Sequence, residues 1–137
     1  MRSINKIIIH CSATIEGKDY TVEQIRSWHI RDNGWKDIGY HFVIYRDGSI
    51  HAGRPIEQIG AHCLGMNNHS IGICYIGGMD INRKPKDTRT PEQKTALISL
   101  VKLLKASFPD ATVHGHNEFA NKSCPCFDVQ SSDLVNL

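Results

Sequence analysis

Apolar positions divide the chain into strands and helices before any chemistry is considered. Between Ser3 and His10 the isoleucines at 4, 7, 8 and 9 cluster instead of alternating, which is the mark of a strand covered on both faces and ending at His10. Tyr40-His41-Phe42-Val43-Ile44-Tyr45 is aromatic and β-branched. Ile50-His51-Ala52 follows it after Asp47-Gly48, a hairpin turn signal. Ser70 to Ile76 reads as a further strand stopped by Gly77-Gly78, and Thr112-Val113-His114 as a short last one. The period changes between these two, where Leu97, Leu100, Val101 and Leu104 recur three and four residues apart, so that one helical face packs on the sheet.

Two helix starts are written out in full. Thr21-Val22-Glu23-Gln24 has the form of a capping box, in which the threonine hydroxyl accepts from the amide three residues on and the glutamine reaches back. It predicts a helix to about His29, with Asn33-Gly34 as the break, because both residues tolerate positive φ. Thr90-Pro91-Glu92-Gln93 repeats the box with proline at the first helical position, and Pro109 ends that helix. The polar run from Met79 to Arg89 reads as a surface loop, and a short helix is expected after Asp128. Interleaved strands and helices with a hairpin predict an α/β domain, a central mixed sheet flanked by helices, occupying residues 1–137 as one unit.

Composition narrows the function. Charged residues are 22% of the chain and the formal net charge is +2, so there is no basic excess to hold a phosphate backbone, and nucleic acid is not expected as a partner. The early run Ile7-Ile8-Ile9 is far shorter than the apolar part of a secretory signal. No stretch reaches the roughly 20 apolar residues that span a bilayer. A protein made in the cytoplasm, without a membrane anchor and with one active site, is the expectation. Five cysteines form an odd set in a domain large enough not to need stapling, which leaves burial or metal ligation for most of them.

Eight histidines in 137 residues raise the question of which converge. His10 sits at a strand end and Cys124 follows His116 by eight residues. Two imidazoles and a thiolate would leave one tetrahedral position open to solvent, the feature that separates catalytic from structural zinc. Spacing alone leaves the alternatives standing: a strand-end histidine satisfied by backbone, and a cysteine that is a small buried hydrophobe.

Several blocks together carry more. Ile9-His10-Cys11-Ser12-Ala13-Thr14, Gly34-Trp35 through Gly39-Tyr40-His41-Phe42, Arg46-Asp47-Gly48, Ala52-Gly53-Arg54, Gly60-Ala61-His62, Asn67-Asn68-His69-Ser70-Ile71-Gly72-Ile73, and His116-Asn117-Glu118 through Lys122-Ser123-Cys124-Pro125 resemble the phage-lysozyme type N-acetylmuramoyl-L-alanine amidases. They also resemble the peptidoglycan recognition proteins of the same fold. The likeness runs from about Lys6 to Asp128, in the family's order. It implies a groove over one zinc ion held by His10, His116 and Cys124, with His114 set aside. It also implies catalytic roles for Tyr40 and Lys122, and groove contacts to sugar or stem peptide from His62, Arg54 and Asn68. Relatives that only recognise peptidoglycan commonly lack the cysteine, so the presence of Cys124 implies an enzyme.

The implied reaction is hydrolysis of the amide between N-acetylmuramic acid and L-alanine in bacterial peptidoglycan, by a monomeric phage or prophage endolysin that reaches the wall after release. The rivals are a binding module that does not cut and a regulator of a partner protein. Glu118 is a candidate to orient a metal ligand. Cys126 departs from the family, which more often has a small polar residue there, and is expected to be a packed free thiol. Cys11, adjacent to His10, should face the other side of the sheet.

Overall fold

The computed structural model describes residues 1–137. Its central sheet has five strands: β1 (Lys6–Cys11), β3 (Phe42–Ile44), β4 (Ile50–Ala52), β5 (Ser70–Tyr75) and β7 (Thr112–Gly115). Their spatial order is β4-β3-β5-β1-β7, with β3 and β4 antiparallel and every other neighbour parallel, so the sheet is mixed as expected. β1 lies at the centre between β5 and β7. This explains why its isoleucines do not alternate with polar residues: Ile7, Ile8 and Ile9 are all fully buried.

Two helices accompany the sheet, α1 (Val22–Asn33) and α2 (Pro91–Ser107), and both capping boxes are formed as written in the sequence. The first helix runs one turn beyond His29, because its stop is Gly34 in the left-handed region at φ 69° and not the weaker helix formers before it. Leu97, Leu100, Val101 and Leu104 of α2 pack on Ile7, Ile9, Ile71, Ile73 and Tyr75 in the larger core. Val22 and Ile25 of α1 join Ile38, Val43 and Ile76 in a smaller one.

A second sheet of two short strands, β2 (Thr14–Ile15) and β6 (Gly78–Met79), has no counterpart in the sequence reading. Met79 also bridges to Pro85, so the polar segment begins as structure and continues as loop. After Asp128 the chain makes two single 3₁₀ turns, Val129–Ser131 and Asp133–Asn136, in place of an α-helix. No helix is long and apolar enough to cross a membrane.

Candidate functional site

Parallel pairing brings the candidate ligands together. Ile9 of β1 stands opposite Gly115, the last residue of β7, so His10, next along β1, and His116, which opens the 3₁₀ turn after β7, lie side by side with ring centroids 4.6 Å apart. Cys124 returns at the end of the loop that follows. Its sulfur accepts from the backbone N–H of Cys11 at 3.2 Å and lies 3.9 Å from His10 Nδ1. One ligand atom from each of His10, His116 and Cys124 falls within 4.8 Å of the others.

Tetrahedral zinc at ordinary bond lengths would hold a nitrogen and a sulfur about 3.6 Å apart. Two imidazoles and a thiol are donors that suit zinc. The backbone N–H of Cys11 holds the Cys124 sulfur in place. Burial holds the His10 ring well below the ordinary imidazole pKa, helped by His62, His116 and Lys122. Burial, then Lys122, lowers His116. Both rings are therefore neutral near pH 7, with a lone pair to offer. The residues present fit a zinc ion.

Beside this cluster, reaching it at His116, lies a pocket of about 550 Å³ whose walls include Trp35, His62, Leu64, Phe119 and Lys122. Lys122 is exposed at its rim. The Tyr40 ring centroid lies 5.2 Å from that of His10, and burial, with the neighbouring thiols, pushes its phenol well above the ordinary value. Tyr40 therefore presents a proton-bearing hydroxyl, a donor, at every physiological pH. Tyr40 and Lys122 thus stand beside the ligand cluster.

The three groove candidates part company. His62 borders the pocket, but only 8% of its surface is exposed and both ring nitrogens are engaged inside the protein, with His10 Nε2 at 2.8 Å and Ser70 Oγ at 3.2 Å. Arg54 donates to the carbonyls of Ile38, Ile59 and Asp37, at 3.0, 2.8 and 3.4 Å. That spends its guanidinium on tying the segment before Tyr40 to the loop at Ile59. Asn68 lies at a separate shallow hollow with Lys6 and His69. Neither Arg54 nor Asn68 borders the pocket beside the ligand cluster.

Two residues that sequence reasoning did not single out support the site. Asn67 Oδ1 accepts from the backbone N–H of both His62 and Cys63, at 3.0 and 2.9 Å. His41 Nδ1 accepts from Gly72 N–H at 3.1 Å, so its Nε2 carries the proton and donates to Gln58 O at 2.8 Å. Their partners are backbone amides, which residue type does not reveal; the adjacent Asn67-Asn68 pair was the one available signal. Glu118 does not touch His116. Its carboxylate accepts from Gly115 N–H at 2.7 Å and pairs with His114 Nδ1 at 2.8 Å, so it fixes the backbone just before the candidate ligand. Cys11 is buried in the α2-side core, as expected, with its sulfur 3.8 Å from that of Cys126.

Comparison with known proteins bears on this geometry. Residues 1–127 match the family described as N-acetylmuramoyl-L-alanine amidase. The endolysin of Escherichia phage T7 is 43% identical over 128 residues, covering 93% of this chain and 84% of the endolysin. Among solved structures, the N-acetylmuramoyl-L-alanine amidase LysC from Clostridium intestinale superposes with a TM-score of 0.79 at 31% identity, covering 93% of this chain and 79% of LysC. PGRP-SA of Apis mellifera superposes with a TM-score of 0.81 at 28% identity, covering 97% and 85% of the two chains.

Proposed function

The chain belongs to the N-acetylmuramoyl-L-alanine amidase family, and from that premise we propose that it cuts the amide between N-acetylmuramic acid and the L-alanine of the stem peptide, using one zinc ion held by His10, His116 and Cys124. The observation that carries the proposal is the meeting of those three donor atoms, brought from opposite ends of the chain, beside a pocket bordered by Lys122 and next to Tyr40. When bound, zinc supplies a Lewis acid and an acidified water.

The protein's own groups do the rest. As the amide carbon becomes tetrahedral, negative charge gathers on the former carbonyl oxygen. In this reading the Tyr40 phenol, kept protonated by burial, and the Lys122 side chain at the pocket rim are the donors that stabilise it. Lys122 lies exposed at the pocket rim, where its flexible side chain is within reach of a bound substrate. The neutral His10 and His116 rings would hold the ion through their lone pairs, and the N–H of Cys11 keeps the Cys124 sulfur in place to join them. The pocket's apolar wall, from Trp35, Leu64 and Phe119, gives the glycopeptide a surface from which water is displaced.

The phage relative carries the name endolysin. We assign this chain the same role: a catalytic domain, with the family match at residues 1–127, acting on the cell wall. The test is clearing of purified peptidoglycan followed by turbidity, with new L-alanine amino termini counted at the same time. Clearing should be abolished by a chelator and restored by zinc. Protein that sediments with the walls yet releases no amino termini would turn the reading into a binding module.

A further inference from the structure

His62 touches a candidate ligand yet has no part in the reaction as described, and its surroundings are built for a ring with one orientation. If His10 is to offer Nδ1 to a cation, its proton must sit on Nε2. That atom lies 2.8 Å from His62 Nδ1, which must then accept. His62 in turn carries its proton on Nε2, 3.2 Å from the Ser70 hydroxyl oxygen that accepts it. The three groups form one directed chain: with the His10 proton on Nε2, turning the Ser70 link around would move the His62 proton to Nδ1 and set two N–H groups face to face.

The backbone around the ring leaves it no other place. A Cβ on Gly72 would stand 2.6 Å from His62 Cγ and 2.8 Å from its Nδ1, and one on Gly60 would stand 2.8 Å from its Cδ2. Asn67 pins the amides of His62 and Cys63, while His41 holds the amide of Gly72. Ser70 and Gly72 alternate along one face of β5, so one supplies the acceptor and the other the room.

We infer that His62 is a positioning residue for the metal site: with Ser70 it fixes the tautomer and ring angle of His10, and so sets how tightly the zinc is held. The inference rests on the zinc reading above. It displaces the groove role that resemblance suggests, since a ring whose two nitrogens are both spent inside the protein has none left for a substrate. Partners of this kind are worth about 10- to 100-fold in metal affinity.

Chelator competition on the whole protein measures this directly. His62→Leu removes the acceptor and should weaken zinc about 10- to 100-fold. His62→Asn restores an oxygen near the place of Nδ1 and should recover most of the loss. Ser70→Ala frees the far end of the chain and should show a smaller loss in the same direction, readable even where His62→Leu fails to fold. With cobalt in place of zinc, the visible absorption should shift in His62→Leu and return towards wild type in His62→Asn. Variants that hold zinc as tightly as wild type while KM rises would overturn the inference and return His62 to the groove. Wild-type protein that takes up no zinc would instead overturn the metal reading itself.

Discussion

The two faces of β1 and β5 are made from the same strands, one residue out of step, and they do opposite things. Toward α2 the strands present Ile7, Ile9 and Cys11 beside Ile71, Ile73 and Tyr75, all buried and packed with Leu97, Leu100, Val101 and Leu104. Toward the pocket they present His10 beside Ser70, Gly72 and Cys74, residues with little or no side-chain bulk on β5. The first face excludes water by filling space. The second leaves space, and imidazole rings occupy it: His10 meets His62 edge-on at 4.9 Å, and His62 meets His41 at 5.8 Å. One sheet thus supplies a rigid apolar backing and, directly behind it, a polar layer in which each ring nitrogen is committed. A site held to the accuracy that catalysis needs is best placed on the back of a packed core.

Perturbing each face should give a distinct signature, and Cys124→Ser should have the largest effect. Metal analysis should find no retained zinc and peptidoglycan clearing should stop, while far-ultraviolet circular dichroism keeps the secondary structure. Retained zinc with full activity would falsify the ligand assignment. On the opposite face, Leu97→Ala empties a fully buried position. It should cost about 2–5 kcal/mol in urea unfolding. The protein that remains folded should bind zinc and turn over as before, because the loss lies beneath the sheet; a fall in zinc affinity would mean that the two faces are coupled. Lys122→Ala then acts on the pocket without touching either layer. A lost donor to the developing oxyanion should slow turnover about 10²- to 10³-fold, with zinc content and urea midpoint unchanged.

The two faces also differ in how much of them can be read from residues alone. The α2 face was legible: the three-and-four spacing of Leu97, Leu100, Val101 and Leu104 and the box at Thr90 define α2, and the buried run at Ile7 defines the strand beneath it. On the other face, the candidates grouped by resemblance as ligands, His10, His116 and Cys124, do meet in space. Of the polar residues bordering the pocket, His62, His116 and Lys122 were named by resemblance, whereas the inward engagement of others was not legible, because loop paths decide it. Arg54 is turned onto carbonyls of two neighbouring segments, and His62 lies under the pocket with its nitrogens directed inward. His41 and Asn67 were hidden because they bind amides, which every residue has. The β2–β6 pair was missed for a simpler reason: two residues per strand, one of them Gly78, carry no period to detect.

The smallest expected effect concerns pH and separates the faces without touching the metal ligands. The α2-side core contains no histidine, whereas His41 is buried on the other side and must stay neutral to accept from Gly72 N–H. Burial, with Arg2 and Arg54 nearby, lowers its pKa from 6.5 to about 4, against the pull of the Gln58 carbonyl. The unfolded chain therefore takes up a proton at this residue below about pH 6.5 while the folded protein does not, so stability falls with acid from that value down to about pH 4 and levels off below it. Over the single unit from pH 6.5 to 5.5 the loss from this group should approach about 1 kcal/mol. Urea unfolding of chelator-treated protein, in which zinc release plays no part, should show that share added to the contributions of His10, His62 and His116, which burial also holds low. In His41→Gln the slope over the same unit should be shallower even though the variant is less stable at every pH, having lost the acceptor for Gly72. An equal slope in both proteins would mean that the acid sensitivity arises elsewhere, and that the polar layer is not defended by keeping His41 uncharged.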